Sequence, residues 1–353
     1  MVPAVHRCAN CVDVSSPLLQ LKITKMQDRA LGPFNVTPIG LGCMNLSHAY
    51  GLPITEEQGK AVLLKALNLG ITHFDTAALY GFGANEELVG KVLSPHRREF
   101  TLASKCGIFK EDGKRRINGR PEMIRATCEA SLQRLKTDVI DLYYLHRWDK
   151  SVPIEDSVGE LSRLVEQGKI RTVGLSEVSK ATLLKAHAVH PISAVQTEYS
   201  LWTRNPELAV LQACRDIGAT FVAFSPLMRG FSSGHISPNE AWAPGDIRAQ
   251  MPRFSPENIQ KNQAWFPQLQ AFAEQAGCTT NQLALAWVLA QGDHVLAIPG
   301  TRSTDHLQEN FQAQRLVLPS ELLAEINDFF RPQRIAGGRY ADLAQAEVDT
   351  EQY

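Results

Sequence analysis

Four stretches decide the fold: "VIDLYYLH" (Val139–His146), "IRTVGLS" (Ile170–Ser176), "AVQT" (Ala194–Thr197) and "TFVAFS" (Thr220–Ser225). Each is short and largely apolar, and each ends on a residue able to ionise or hydrogen-bond. A half-exposed antiparallel strand alternates polar and apolar residues, whereas these runs suit parallel strands covered on both faces. Working outward, Pro38–Cys43, Thr72–Thr76, Phe100–Lys105 and Val295–Pro299 read the same way. Helical patterns separate them. Thr55-Glu-Glu-Gln58 has the form of a capping box, in which the hydroxyl takes an orphan backbone N–H and Gln58 reaches back. Val62, Leu63, Ala66, Leu67 and Leu69 then form one apolar face, and Gly70 stops the helix. Pro121 opens another helix, where its missing N–H costs nothing, and Asn205-Pro206 a third.

Strand followed by helix, eight times over, closes naturally into a (β/α)₈ TIM barrel. The rival is a doubly wound open sheet, but the Gly-rich nucleotide fingerprint that marks it is absent after the first strand. No composition shift marks an inner boundary. The chain therefore reads as a poorly ordered extension over 1–20, a single barrel domain over 21–331, and an irregular tail over 332–353. Leu21–Leu31 is expected to form a hairpin at the barrel bottom. Met228–Pro256, rich in Gly, Pro and Ser, breaks the rhythm as a lid or binding loop does.

Bulk properties exclude several classes. The 353 residues carry a formal charge of -1, with 44% hydrophobic and 21% charged residues. Nucleic acid and anionic membrane surfaces both call for a basic excess that is missing. No apolar run is long enough to span a bilayer, and the first twenty residues do not read as a secretory signal. The seven cysteines are scattered and odd in number, which fits reduced thiols and a cytoplasmic protein. Cys8-Ala-Asn-Cys11 is a lone C-x-x-C with no second pair to complete a zinc site, so no metal is expected.

Catalysis in barrels sits at the C-terminal ends of the strands. Those ends carry Asp75, Lys105, His146, Ser176, Gln196 and Ser225. Charges are expensive in such apolar runs unless they pair. Asp75 and Lys105, on adjacent strands, are placed to form a buried ion pair. A cation beside Tyr80 is expected to favour its phenolate and lower its pKa from about 10, making it a general acid for a developing alkoxide. His146 would orient a carbonyl oxygen. With no strong nucleophile and no metal cage, the reducing equivalent must come from a cofactor.

The chain resembles the aldo/keto reductase superfamily in "FDTAALYG" (Phe74–Gly81), "LASK" (Leu102–Lys105), "DLYYLHR" (Asp141–Arg147), "VGLSEVS" (Val173–Ser179), "VQTEYSLW" (Val195–Trp202), "FSPLMRGF" (Phe224–Phe231) and "IPGTR…EN" (Ile298–Asn310), in family order. The resemblance implies a tetrad of Asp75, Tyr80, Lys105 and His146, with Tyr80 the proton donor and NADPH the hydride source. It implies that Ser176, Glu177 and Gln196 hold the nicotinamide carboxamide, Glu177 standing where many members carry Asn. Phe224 would pack near the nicotinamide, and Ser225, Pro226, Leu227 and Gly230 would form the loop over the pyrophosphate. Gly300, Thr301, Arg302, Glu309 and Asn310 match the adenosine end, where Arg302 suits a 2′-phosphate and Ser303 stands where a second basic residue often follows. The expected substrate is a small carbonyl compound, apolar or aromatic, with Met44, Trp148 and Trp202 lining its pocket. The alternative is a cofactor-binding regulatory protein, like the channel-associated relatives, with little turnover. A metal-dependent hydrolase lacks a ligand set across the strand ends. Whether the protein is a monomer or a homo-oligomer is not written in the sequence.

Overall fold

Apolar runs become strands wherever two neighbours can cover them, and here eight do so in sequence. The structure, a computed structural model, describes residues 27–47, 49–111 and 114–353. The N-terminal extension with Cys8 and Cys11 lies outside the described residues. In chain order the parallel strands are β1 (Leu41–Gly42), β2 (His73–Asp75), β3 (Thr101–Cys106), β4 (Ile140–Leu145), β5 (Ile170–Ser176), β6 (Ile192–Glu198), β7 (Thr220–Phe224) and β8 (Val295–Ala297). Each pairs with the next, as in Asp75 with Ala103, Lys105 with Tyr144, and Ser176 with Gln196. The ends of the sheet meet through a parallel bridge of Ile39 with Ala297. There Gly40 N donates to Ala297 O at 2.9 Å and Ala297 N to Pro38 O at 3.0 Å. The sheet is therefore a closed α/β barrel.

Helices follow the strands: α1 (Glu56–Leu69), α2 (Ala84–Leu93), α3 (Pro121–Leu135), α4 (Ile154–Glu166), α5 (Lys180–Val189) and α6 (Val210–Asp216). The capping box at Thr55 and Gln58 forms, and Gly70 ends α1 in the left-handed conformation at φ 86°, its N–H reaching Ala66 O and Leu67 O. Pro121 opens α3, whereas Asn205-Pro206 opens only a 3₁₀ turn before α6. Between β7 and β8 lie α7 (Pro256–Gln263), α8 (Phe266–Gln275) and α9 (Thr280–Leu289), and after β8 come α10 (Thr304–Gln312), α11 (Ser320–Phe329) and the short α12 (Asp342–Gln345).

Two apolar layers result. The larger packs helices against the outside of the sheet, while Ala103, Leu142, Tyr144, Ala194, Val222 and Leu296 fill the barrel itself. An antiparallel hairpin, Arg29–Leu31 with Phe34–Val36, adds Leu31 and Val36 to that inner layer. It is tied to the strand starts by Thr220 Oγ1 donating to Ala30 O and Arg29 Nη1 donating to Val295 O. Most of the hairpin thus lies beyond the Leu21–Leu31 stretch read from the sequence. The tail also differs from a loose end. It folds back over the barrel, with Arg339 and Val348 buried, Asp349 N donating to Glu177 O at 3.0 Å and Asn205 Nδ2 donating to Glu351 O at 3.0 Å.

Candidate active site

Strand alternation aims the key side chains. Residues i and i+2 share a face, and neighbours in register share it too. Ala103 and Tyr144 point into the barrel. Lys105 and His146, two residues further along, therefore point to the barrel axis at its C-terminal mouth, as does Asp75, in register with Ala103. Gln196, two residues after the inward Ala194, joins them.

At that mouth Lys105 Nζ is fully buried. It donates to Asp75 Oδ1 in a short ion pair, to Thr76 O at 2.9 Å and to Tyr80 Oη at 3.3 Å. Gln196 Nε2 donates to the other carboxylate oxygen, Asp75 Oδ2, at 2.8 Å. The Tyr80 ring, in the 3₁₀ turn Tyr80–Gly83 leading into α2, stands edge-on to His146 with centroids 5.9 Å apart and planes at 86°. Burial alone would lower the Lys105 ammonium, but Asp75 and Tyr80 hold it above its ordinary range. Burial pushes the Tyr80 phenol up, and Lys105 only partly counters it. The expected downward shift of Tyr80 is thus reversed, because desolvation of a buried phenolate outweighs one nearby cation. Burial, then Arg147, keep His146 well below the usual histidine range, so its ring is neutral at neutral pH.

Above these groups runs a cleft of about 1120 Å³, which Asp75, Tyr80 and His146 line. That exceeds the roughly 300–1,000 Å³ of sites for drug-sized ligands. Ser176, Gln196, Phe224, Ser225, Pro226, Leu227 and Gly230 line one stretch of it, and Gly300, Thr301, Arg302, Glu309 and Asn310 another. Gly230 sits at φ 91°, in the left-handed region. At Gly300 a Cβ would lie 2.7 Å from Asn45 Oδ1 and 3.1 Å from Gly42 O, so a larger residue there would have to displace Asn45.

The profile of the aldo/keto reductase family matches residues 38–330. The chain belongs to the aldo/keto reductase family. It is 45% identical to a probable aldo-keto reductase 1 of Glycine max, over 87% of this chain and 89% of that protein. It is 42% identical to an aldo-keto reductase [NADP(+)] of Schizosaccharomyces pombe, over 91% and 96%. Among solved structures, it superposes on a glycerol dehydrogenase from Gluconobacter oxydans with a TM-score of 0.78 at 29% identity, covering 87% of this chain and 96% of the other. An aldo-keto reductase from Klebsiella pneumoniae in complex with NADPH matches with a TM-score of 0.68 at 26% identity, covering 89% and 100%.

Three of the residues read from the sequence of this family member do not reach the cleft. Trp202 is buried in an aromatic cluster with Phe231 and Phe254, with Arg253 over its ring. Trp148 turns its indole N–H to Val152 O at 2.9 Å and packs against the outer core. Both follow strand ends, but packing claimed them. Glu177 is also buried outside the cleft lining, its Oε1 accepting from Glu198 N and from Arg339 Nη2, both at 2.8 Å. Of the expected substrate residues Met44 lines the cleft.

Sequence reading also missed several lining residues: Asn45, Tyr50, Arg115, Arg147, Arg229 and Tyr340. Arg147 and Arg229 lay inside fragments already singled out, and their place beside strand-end residues was the available signal. Arg147 Nη1 donates to His146 O at 2.6 Å and to Ser176 Oγ at 3.2 Å. Tyr340 and Glu347 come from the aperiodic tail, where no pattern marks them. Glu347 pairs with Arg115 at 2.6 Å, joining the tail to a second antiparallel pair of strands, Ile108–Glu111 with Lys114–Ile117, that follows β3.

Proposed function

We propose that this chain is an NADPH-dependent carbonyl reductase that converts aldehydes or ketones to alcohols, with Tyr80 as the general acid. One observation carries this reading: a buried lysine shared between a carboxylate and a phenol that opens onto a large cleft. Such an arrangement is costly as scaffolding and useful as a proton donor.

The cleft suits a phosphorylated dinucleotide. Asn310 Oδ1 is a buried acceptor without a partner among the described residues, as an adenine amino group requires. The N-terminus of α10, capped by Ser303, opens on the cleft beside Arg302 and His306, where helix N–H groups and a guanidinium favour phosphate. NADPH, when bound, supplies the hydride. The chain's own residues do the rest. The raised phenol pKa keeps Tyr80 protonated, ready to give its proton to the carbonyl oxygen as that oxygen becomes an alkoxide. Lys105, held charged by Asp75, stabilises the phenolate left behind. Neutral His146 retains an N–H to orient the same oxygen. Ser176 Oγ and the free Oε1 of Gln196 are the groups proposed to fix the carboxamide.

Tyr80→Phe tests the reading. It removes the acid and leaves the rest of the cleft. Aldehyde-dependent NADPH oxidation should fall by about 10²–10⁴-fold, while NADPH affinity, followed by fluorescence quenching, stays within a few-fold of the parent. Comparable turnover in the variant would remove Tyr80 from the role of donor. Tight NADPH binding with no turnover of any aldehyde or ketone by the parent protein would favour a regulatory role instead.

A further inference from the structure

The mechanism leaves one buried cluster unused. Glu177, just past β5, and Glu198, at the end of β6, meet three buried guanidiniums, from Arg229, Arg253 and Arg339. Arg339 Nη2 donates to Glu177 Oε1 at 2.8 Å and to Glu198 Oε2 at 3.3 Å, and Arg229 Nη2 donates to the same Glu198 oxygen at 2.6 Å. Arg253 finds no carboxylate within bonding distance among the described residues and donates to Thr203 Oγ1 at 2.5 Å and Gly337 O at 3.1 Å. Two carboxylates against three cations leave one positive charge over in the interior. Its effect is visible on both sides. Burial would raise the Glu198 carboxyl, yet the arginines draw it down to about 2. Burial, with repulsion from Arg339 and Arg229, brings Arg253 down to about 10 despite Glu198.

The cluster reaches the cleft through Arg229, with Arg253 buried behind the lining. Arg229 and Tyr340 line it beside Gly230, and Arg229 Nη2 donates to Tyr340 Oη at 3.1 Å. Met228, Arg229 and Gly230 all sit at positive φ, at 53°, 56° and 91°. Left-handed backbone at Met228 and Arg229 persists only where the surroundings over-determine it. The Arg229–Glu198 pair is one of the contacts that hold this turn, with Arg248 Nη1 donating to Arg229 O at 3.3 Å, and Arg339 shares the same Glu198 oxygen.

We propose that Arg339 is a positioning residue for the cofactor: by bridging Glu177 and Glu198 it makes the C-terminal segment a latch that holds the Arg229 turn on the cleft wall, so that bound NADPH and the tail hold each other in place. The inference rests on the NADPH reading above. A dinucleotide brings its pyrophosphate charge to a wall whose Arg229 belongs to a buried cluster with one cation more than its carboxylates, which tightens the cluster and with it the segment that supplies Arg339. The segment is tied to the N-terminus of α5 by its cap residue Ser179, whose N and Oγ donate to Asp349 Oδ2 at 3.1 and 2.9 Å, so tightening spreads along it. Coupling between two sites is reciprocal, so whatever the cofactor does to the tail the tail does to the cofactor.

The test uses the full-length protein. Arg334 is exposed in the tail and open to trypsin. Saturating NADPH should slow cleavage after Arg334 by roughly tenfold, within the span typical of coupled sites. Saturating adenosine 2′,5′-bisphosphate, which has the adenosine end but no pyrophosphate, should leave it unchanged. Conversely, Arg339→Met should raise the NADPH dissociation rate by about tenfold, and Arg339→Lys, with one ammonium for two carboxylates, should fall between. Equal cleavage with and without NADPH, or equal protection by the bisphosphate, overturns the latch, as does an unchanged dissociation rate in Arg339→Met. Should that variant fail to fold, the protease comparison on the parent protein decides alone. If the parent protein does not bind NADPH at all, the cofactor reading itself fails; if it binds and the tail is indifferent, only the latch does.

Discussion

Lys105→Met isolates the group on which the site depends. The parent lysine has no exposed side-chain surface and serves three acceptors: the Asp75 carboxylate, Thr76 O and Tyr80 Oη. Methionine matches its length and keeps the packing, so the substitution removes a charge more than a volume. It strands Asp75 as a buried carboxylate with only Gln196 Nε2 as partner among the bonds described. Removing one member of a buried ion pair costs about 3–5 kcal/mol. With a urea slope near the upper end of the usual range, about 3 kcal/mol/M, that moves the midpoint down by about 1–1.7 M. Replacing both members, in Asp75→Asn/Lys105→Met, should recover most of the loss, because no uncompensated charge remains. Activity separates from stability here. Both variants lose the cation that stabilises the Tyr80 phenolate, so both should reduce aldehydes about 10²–10⁴-fold more slowly, whatever their midpoints. Urea unfolding and steady-state kinetics on the two variants and the parent read the two effects apart. A double variant no more stable than Lys105→Met would refute the stranded-charge argument. A double variant with near-parent turnover would refute the role assigned to Lys105.

Two further predictions concern pH and the cleft floor. His73 is held down to about 4 and His146 well below its ordinary value, in both cases chiefly by burial. Below about pH 6.5 the unfolded chain binds protons that the folded one refuses, so stability should fall as pH drops from 6.5 towards the folded values; His73→Leu should flatten that slope above pH 4, and an unchanged slope would mean that His73 titrates freely. Gly300→Ala would set a Cβ 2.7 Å from Asn45 Oδ1 and 3.1 Å from Gly42 O; overpacking of this kind costs about 1–3 kcal/mol, and it should weaken NADPH binding by roughly tenfold or more in a quenching titration, whereas parent-like affinity would show that the floor yields.

The barrel was legible because its evidence is local. Largely apolar runs such as Ile170–Ser176, buried at every residue but Arg171, have few uses other than a strand covered on both faces, and the capping box at Thr55 and Gln58 is written within four residues. The ion pair was legible for a related reason: a charge at the end of an apolar strand is too costly to be accidental, so Asp75 and Lys105 announce each other. Where a decision depended on how much of a group is buried, the sequence was a poorer guide. Tyr80 and Lys105 are correctly neighbours, but the sign of the phenol's shift turns on desolvation, which no spacing encodes. Trp148 and Trp202 follow strand ends as lining residues do, and only the packing of Phe231, Phe254 and Val152 around them decides that they are not.

The tail is the harder case. Arg339 meets Glu177 and Glu198 across 162 and 141 residues of chain, and neither the hydrophobic period nor a turn signal records such a contact. Yet Glu177 and Glu198 carried a trace of it. Each is a carboxylate beside a strand end, where an uncharged residue would cost less. By the reasoning that paired Asp75 with Lys105, each had to be owed a cation, and two segments that break the barrel rhythm supply them: Met228–Pro256 with Arg229 and the tail with Arg339. An orphan charge at a strand end is therefore evidence about the irregular part of a chain, and here it points to the tail as part of the cleft wall.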